Sequence, residues 1–423
     1  MHVFNGKLAH QAWMITDDTV RVMEALKADG GDARFVGGCV RDALVNRVVL
    51  DVDIATPLKP DEVIARLDAA KIKHAPTGLK HGTVTAIVDG HPFEITTLRI
   101  DVNPFGRHAD VAFTDDWEKD AARRDFTINA MSATTEGDVY DPFNGVEHLR
   151  LGKVVFVGEA EQRIREDILR ILRFFRFYAH FGQGLPDKDG LLACAKFAPD
   201  IVKLSAERIR QETFKLLESD RSAEVWDIMM HAGVVTHFLP EATAVPVLSR
   251  LIALEVERHH QGKAFALRRL AALLDITRNS VPAVVKALKL SNEQTAQLAT
   301  LATPTWKVSM QMTEQEARKL VYRLDNDMAR SLLLLASARE NNRENLDDLY
   351  QAATGFRAPR FPLIGDDVMK LGWKEGPDVG RILDAMSEWW VEKEFQPGRT
   401  ECLQKLGADY PSPAGNRPAW VKE

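Results

Sequence analysis

The 423-residue chain is 45% hydrophobic and 27% charged, the composition of a globular protein too long for one ordinary core. Its formal net charge of −6 excludes a protein that coats nucleic acid with its whole surface, but leaves room for a concentrated basic patch. No apolar run reaches the length of a membrane span, and residues 1–16 lack the charged-then-apolar layout of a signal peptide. Cys39, Cys194 and Cys402 stand too far apart for a zinc site or a disulfide framework, so the cytoplasm is the expected compartment.

Helix and strand alternate in the first third. Residues 17–28 have helical amphipathicity, 33–36 form a strand running into Gly37-Gly38, and 40–44 begin a helix. A strand is expected over 51–55 and a helix over 60–70, with Pro60 at its first position. Strands follow at 74–76, 83–88 and 92–100, with Asp89-Gly90 as the turn between the last two. The polar stretch 101–115, containing Pro104 and Gly106, is expected to be mobile. From about residue 159 the pattern is helical, punctuated by Pro199, Pro240, Pro304, Pro359 and Pro362, without a fixed-period repeat. The expected domains are 1–152, 153–240, 241–352 and 353–423.

The chemistry begins with Asp51-Val52-Asp53. In an extended strand residues two apart share a face, so both carboxylates project side by side. Adjacent carboxylates repel unless a cation lies between them, and hard oxygen ligands suit Mg²⁺. Gly37-Gly38 allows a backbone turn close to a phosphate, with the amides of the next helix aimed at it. Glu94 sits on the strand face opposite Phe93, Ile95 and Thr97. Beside Asp51 and Asp53 it completes a three-carboxylate metal site; otherwise it faces solvent. A triphosphate cradle with metal-binding carboxylates equips a site for nucleotidyl transfer.

Residues 123–131, with Arg123, Arg124, Asp125 and Asn129, are dense in hydrogen-bonding groups. Paired guanidiniums grip triphosphate oxygens in a fork, and Asp125 is an acceptor for a ribose hydroxyl; the ordinary alternative is a helix cap. Further on, Ile164, Ile168, Ile171, Leu172 and Phe175 make one apolar helix face. Arg163, Glu166, Asp167, Arg170 and Arg173 lie opposite, placing Asp167 and Arg170 one turn apart. An Asp acceptor beside an Arg donor reads an amino group next to a ring-nitrogen acceptor, the edge of cytosine and of adenine but not of uracil or guanine. Glu166 is placed to hold Arg170. The competing assignment is an ion pair on a solvated helix. Arg163, Arg165, Arg170, Arg173 and Arg176, followed by Arg208, Arg210 and Lys215, form either a phosphate-binding concentration or partners for Glu161, Glu166 and Asp167.

In order and spacing, residues 37–42 with Asp51 and Asp53, 123–130, 166–170 and Ser205-Ala206-Glu207-Arg208 resemble class II of the DNA polymerase β superfamily. These are the bacterial tRNA nucleotidyltransferases (CCA-adding enzymes) and their poly(A) polymerase relatives. The resemblance covers the first half of the chain. It implies an α+β protein: a polymerase-β-like nucleotidyltransferase head (mixed sheet with helices), then an all-α neck, body and tail. It implies Mg²⁺ at Asp51 and Asp53, which with Glu94 are the expected catalytic residues. The expected nucleotide contacts are Gly37, Gly38, Arg41, Arg124, Asp125, Asn129, Glu166, Asp167, Arg170 and Arg173. Asp167 and Arg170 would template CTP and ATP, and Glu207-Arg208 would brace the neck helix.

The implied reaction adds C, C and A to the tRNA 3′ end and releases pyrophosphate. The terminal 3′-OH attacks the α-phosphate in line, with Asp51 the better candidate to help it lose its proton. Residues 101–115 are the expected lever for switching from C to A. Residues 361–381, with Gly376-Pro377 opening a helix, look like an RNA-holding tail, and Trp389-Trp390 suits core packing. No His is followed by Asp, so the metal-hydrolase domain of some relatives is expected to be absent. The expected partners are the tRNA 3′ end, CTP and ATP, with no membrane and no obligate protein partner. Rival readings are a poly(A) polymerase, a CC-only enzyme and a catalytically silent RNA binder. A dinucleotide-binding oxidoreductase is disfavoured because Gly37-Gly38 lacks the Gly-x-Gly-x-x-Gly pattern.

Overall fold

The computed structural model describes residues 3–4, 6–102, 111–259, 265–274 and 280–411. The chain forms two compact units, Met1–Val245 with Pro282–Ser291, and Pro246–Val281 with Asn292–Glu423.

The first unit opens with a short hairpin, β1 (Val3–Phe4) and β2 (Lys7–Leu8), and helix α1 (Asp17–Lys27), capped by the Thr16 side chain. Strand β3 (Arg34–Val36) leads into α2 (Gly38–Leu44), and β4 (Asp53–Thr56) into α3 (Pro60–Ala69). Then come β5 (Lys73–Gly78), β6 (Thr83–Val88), β7 (His91–Thr97), β8 (Arg99–Asp101), β9 (Val111–Phe113) and α4 (Trp117–Ala122). Strands β10 (Ser132–Ala133) and β11 (Val139–Tyr140) and helix α5 (Gly145–Arg150) complete the α/β part. The main sheet runs β11-β10-β3-β4-β7-β6-β5, antiparallel except where β4 lies parallel to β7 with Asp53 opposite Glu94. Asp89 and Gly90 both take positive φ, 48° and 89°, which suits the tight turn joining β6 to β7.

Several expected boundaries move. The strand expected from residue 51 begins at Asp53, leaving Asp51 ahead of it. The strand expected over 92–100 divides at Leu98, a fully buried residue whose N–H donates to Thr56 O at 2.9 Å. Beyond it β8 leaves the main sheet and pairs antiparallel with β9, Arg99 opposite Phe113. The stretch expected to be mobile therefore has paired ends, and its residues 103–110 lie outside the described residues.

Helices follow: α6 (Ala160–Glu166), α7 (Leu169–Phe181), α8 (Lys188–Phe197), α9 (Ala206–Leu217) and α10 (Ser222–His231). The single helix expected through 164–175 is broken at Asp167, which takes an extended backbone (φ −150°, ψ 108°). Its carboxylate accepts from Leu169 N at 3.1 Å, so an aspartate on an apparently continuous periodic run acts as the cap of the next helix. Helix α7 buries Ile171, Leu172, Phe174, Phe175 and Tyr178. Phe174 stacks on Phe156 at 5.6 Å, and Phe156 pairs through its backbone with Phe126, which fixes α7 to the segment carrying Arg123–Asn129. The helix Ser280–Leu288 also contributes to this unit: Arg210 donates to Lys289 O, and Lys289 pairs with Glu207.

The second unit is helical, with Phe265–Leu273, Asn292–Ala302, Glu314–Arg323, Asn326–Glu340 and Leu346–Gly355 before a final group, Gly365–Met369, Pro377–Glu392 and Arg399–Asp409. The final group packs around Val368, Ile382, Met386, Trp390 and Leu406. Trp390 is buried and donates to Pro397 O at 2.8 Å, a core role shared by its neighbour Trp389, which packs against the same cluster. Among the described residues no helix is long and apolar enough to cross a membrane.

Candidate active site

The site is built on the β3–α2 turn. Gly37 has φ 72°, and a Cβ there would lie 2.7 Å from Arg124 Nη1, so glycine is required by backbone and by space. Beneath the turn, Cys39 Sγ approaches Val36 O at 3.3 Å and Asp53 O at 3.7 Å, and burial pushes its thiol up to about 12. The thiol is an inert peg between the turn and the carboxylate strand. Asp53 is half-buried; burial raises its carboxyl, the negative charges of Glu94 and Asp51 add to the rise, and Arg124 opposes it. Asp51 and Glu94 are exposed, and among the described residues no three His, Cys, Asp or Glu side chains are placed to hold one ion. Asp51 directly precedes β4, and Glu94 stands on the exposed face of β7 opposite Asp53.

Behind the turn, Asp120 on α4 is buried and accepts from Arg123 Nε at 2.8 Å, Arg124 Nη2 at 3.5 Å and Arg99 N at 3.1 Å. A chain of bonds then crosses the site. Arg41 Nη1 donates to Asn129 Oδ1 at 2.6 Å, Asn129 Nδ2 to Asp125 Oδ1 at 3.0 Å, and Arg173 Nε to Asp125 Oδ2 at 2.7 Å. Burial alone would raise the Asp125 carboxyl, but Arg173, Asn129 and Arg170 hold it below the usual carboxylate range. The capping alternative for Arg123-Arg124-Asp125 is displaced by these tertiary bonds.

Asp167 and Arg170 are arranged differently from the expected i,i+3 neighbours. Arg170 Nη1 donates to Glu166 Oε2 at 2.6 Å and to Arg163 O at 2.8 Å, and Nη2 donates to Arg123 O at 3.1 Å. Glu166 therefore holds Arg170, as its position suggests, and does so from a buried site rather than on a solvated face. Asp167 is held instead by Arg208 Nη2 at 2.7 Å. Glu207 pairs with Lys289, and Arg208, expected as a brace, a phosphate contact or an ion-pair partner, takes the ion pair with Asp167.

These groups surround one open cavity of about 750 Å³. Its wall includes Gly37, Gly38, Arg41, Asp53, Arg124, Asp125, Asn129, Asp167, Arg170 and Arg173; Asp51, Glu94 and Glu166 are not on it. Arg47, Arg123, Arg176, Phe177, His180, Phe181, Lys215 and Glu218 also line it. Of these, Arg47, His180 and Phe181 carried no local signal, since an isolated Arg and a helix-end His-Phe are ordinary surface residues. The Phe181 ring meets two guanidiniums, those of Arg41 at 4.4 Å and Arg47 at 4.3 Å from its centroid. A cationic cavity with the Asp53 carboxylate on its wall suits a triphosphate and its metal, the equipment of a nucleotidyl-transferring head.

Comparison with known proteins agrees. Residues 33–155 match the poly(A) polymerase head domain, and residues 186–245 match a probable RNA and SrmB-binding site of polymerase A. The chain is 34% identical over 403 residues to the mitochondrial CCA tRNA nucleotidyltransferase 1 of Danio rerio, covering 93% of this chain and 91% of that protein. It is 30% identical over 389 residues to the CCA-adding enzyme of Lactobacillus delbrueckii subsp. bulgaricus, 91% of this chain and 96% of the relative. The crystal structure of Bacillus stearothermophilus CCA-adding enzyme in complex with CTP aligns with TM-score 0.72 and 26% identity, covering 93% of this chain and 96% of that one. The chain belongs to the CCA-adding tRNA nucleotidyltransferases. It is a template-independent nucleotidyl-transferring enzyme with the mixed-sheet head and helical remainder of that family.

Proposed function

We infer that the enzyme adds C, C and A in turn to the 3′ end of tRNA, using CTP and ATP and releasing pyrophosphate. The observation that carries this reading is a single cavity that brings together the Gly37 turn, Asp53, a set of guanidiniums and the Asp167 and Arg170 side chains. The triphosphate lies along Gly37-Gly38, Arg41 and Arg124, Asp125 faces the ribose, and Asp167 and Arg170 meet the base edge. Asn129 and Arg173 keep Asp125 ionised and in place. The 3′ end of the RNA enters by the Arg47 and Lys215 side. Enzymes of this family use divalent metal ions. The residues fit one: the carboxyl of Asp53 is raised by burial and then by the charges of Glu94 and Asp51, a surplus of hard anionic oxygen. Mg²⁺ at Asp51 and Asp53, when bound, would supply positive charge to the reacting oxygens. Asp51, the more exposed of the two, is the better placed acceptor for the hydroxyl proton.

The division of labour that fits this reading is a catalytic head over 1–152, a base-recognising neck over 153–240, a body over 241–352 and a tRNA-holding tail over 353–423. The compartment proposed is the cytoplasm, supported by three buried free cysteines. A poly(A) polymerase and a silent RNA binder are disfavoured by relatives that are CCA-adding enzymes over nine-tenths of the chain.

The test is an extension assay on a tRNA transcript lacking its last three nucleotides, with Mg²⁺ and each nucleotide singly, then CTP and ATP together. Growth by two with CTP, by three with both, and then a halt supports the reading; a long ladder with ATP alone refutes it. Residues 101–115 are the proposed lever for the switch from C to A. Their exchange for a rigid linker is expected to spare C-C addition and to abolish A addition, and unchanged A addition would remove the lever.

A further inference from the structure

Arg163 lies outside the nucleotide contacts assigned above, yet it shares their central carboxylate. Each oxygen of Glu166 serves a different guanidinium: Oε1 accepts from Arg163 Nη2, and Oε2 from Arg170 Nη1 at 2.6 Å. The two arginines also hold the end of the same helix. Arg163 Nη1 donates to Ala122 O at 3.0 Å, and Arg170 Nη2 to Arg123 O at 3.1 Å, both carbonyls at the C-terminal turn of α4. Helix α4 follows directly on the β8–β9 hairpin and is tied to it by Asp120, which accepts from Arg99 N at 3.1 Å. Between the hairpin base and the clamp lies a cavity of about 240 Å³, lined among others by Ile100, Asp101, Arg163 and Glu166, so the hairpin base and Arg163 face each other across open space.

Cytosine and adenine offer the same pattern of amino group and ring nitrogen, but the purine is one ring wider and puts that edge at a different depth. A reader fixed in one place serves one of them poorly. Because Arg163 and Arg170 share one buried carboxylate, a shift of Arg163 along Ala122 O moves the Glu166 carboxylate and with it Arg170. We propose that Arg163 is the positioning residue through which the β8–β9 hairpin and α4 set the place of the Arg170 guanidinium, and thereby the choice between CTP and ATP. This rests on the reading that Arg170 meets the base edge.

Arg163→Gln is too short to reach Glu166 and Ala122 O together and leaves Glu166 to Arg170. The quantity measured is the ratio of kcat/KM for CTP on tRNA lacking C-C-A to that for ATP on tRNA ending in C-C. The ratio is expected to rise by roughly tenfold or more, with the parental melting temperature retained. Arg163→Lys keeps the charge on Glu166 and is expected to restore the ratio in part. A ratio within about twofold of the parent in a folded Arg163→Gln enzyme overturns the proposal. Should that variant fail to fold, Arg163→Met, which keeps the apolar stem and removes the guanidinium from Glu166, carries the test, and an unchanged ratio in it has the same force. Arg170→Ala separates the two ideas. If it abolishes rejection of UTP while Arg163→Gln leaves the ratio alone, only the role of Arg163 falls. If Arg170→Ala leaves rejection of UTP intact, the base-reading assignment falls, and the Arg163 proposal with it.

Discussion

Asp53 and Asp125 lie on one cavity wall, and their surroundings push them in opposite directions. Around Asp125 the arginine Arg173 and the amide of Asn129 outweigh burial, so its folded pKa is depressed. A depressed carboxyl contributes stability that is present above its unfolded pKa, about 3.9, and is lost as pH falls through the folded value. Asp125→Asn is therefore expected to cost about 2 kcal/mol at pH 7, less than a fully enclosed pair because Arg173 keeps Glu212 at 3.7 Å and 29% of its side chain exposed. The gap between parent and variant in urea denaturation should shrink below about pH 4; a gap independent of pH would show that packing rather than charge holds the site. Around Asp53, burial and two neighbouring carboxylates outweigh Arg124, and its charged form is a cost to the folded state at neutral pH. Mg²⁺ is expected to raise the melting temperature of the parent. Asp53→Asn should melt higher than the parent without metal, gain nothing from Mg²⁺, and lose on the order of a hundredfold or more in activity. A metal-dependent rise that survives in Asp53→Asn would place the ion elsewhere.

At the scale of elements, the strands and turn of the head are legible because each has local punctuation. Gly37-Gly38 stops β3, Pro60 opens α3, and Asp89-Gly90 closes the turn between β6 and β7. The break between α6 and α7 is not legible, since the apolar spacing of Ile164, Ile168, Ile171 and Phe175 runs through it without a phase change. It becomes visible only with Arg208, a partner 41 residues away that no local pattern signals. The break matters because it takes Asp167 off the helix and aims its carboxylate at the cavity while Leu169 N is still capped. The β3–α2 turn is as exacting. Gly37→Ala would force a side chain into a glycine-favoured conformation and against Arg124, at a cost on the order of 1–3 kcal/mol. The displaced guanidinium is also expected to weaken nucleotide binding, read as a raised Kd for CTP in a protein that still folds. Unchanged affinity would mean that Arg124 does not hold the triphosphate.

Across the whole molecule, charge is distributed against its own average. The chain carries −6, yet the cavity wall holds eight Arg and Lys against five Asp and Glu, one of those acids being the metal candidate Asp53. An acidic surface repels RNA in general, while a cationic cleft with low-dielectric walls concentrates the field at the proposed entrance for a single 3′ end. Binding of tRNA should then depend on salt through few phosphate contacts, each giving about 0.7 in the log–log slope for a single strand. Lys215 lines the cavity and, unlike Arg41 and Arg173, does not fix another side chain of the wall in the bonds described. Lys215→Gln is expected to lower the salt slope by roughly 0.7 and to weaken tRNA binding at low salt, with little change in the KM for CTP. Lys7, exposed, paired with Asp138 and absent from the cavity wall, serves as the comparison, and Lys7→Gln should leave the slope unchanged. Equal slopes for parent and Lys215→Gln would move the path of the RNA strand away from α9 and leave the Arg47 edge as its entrance.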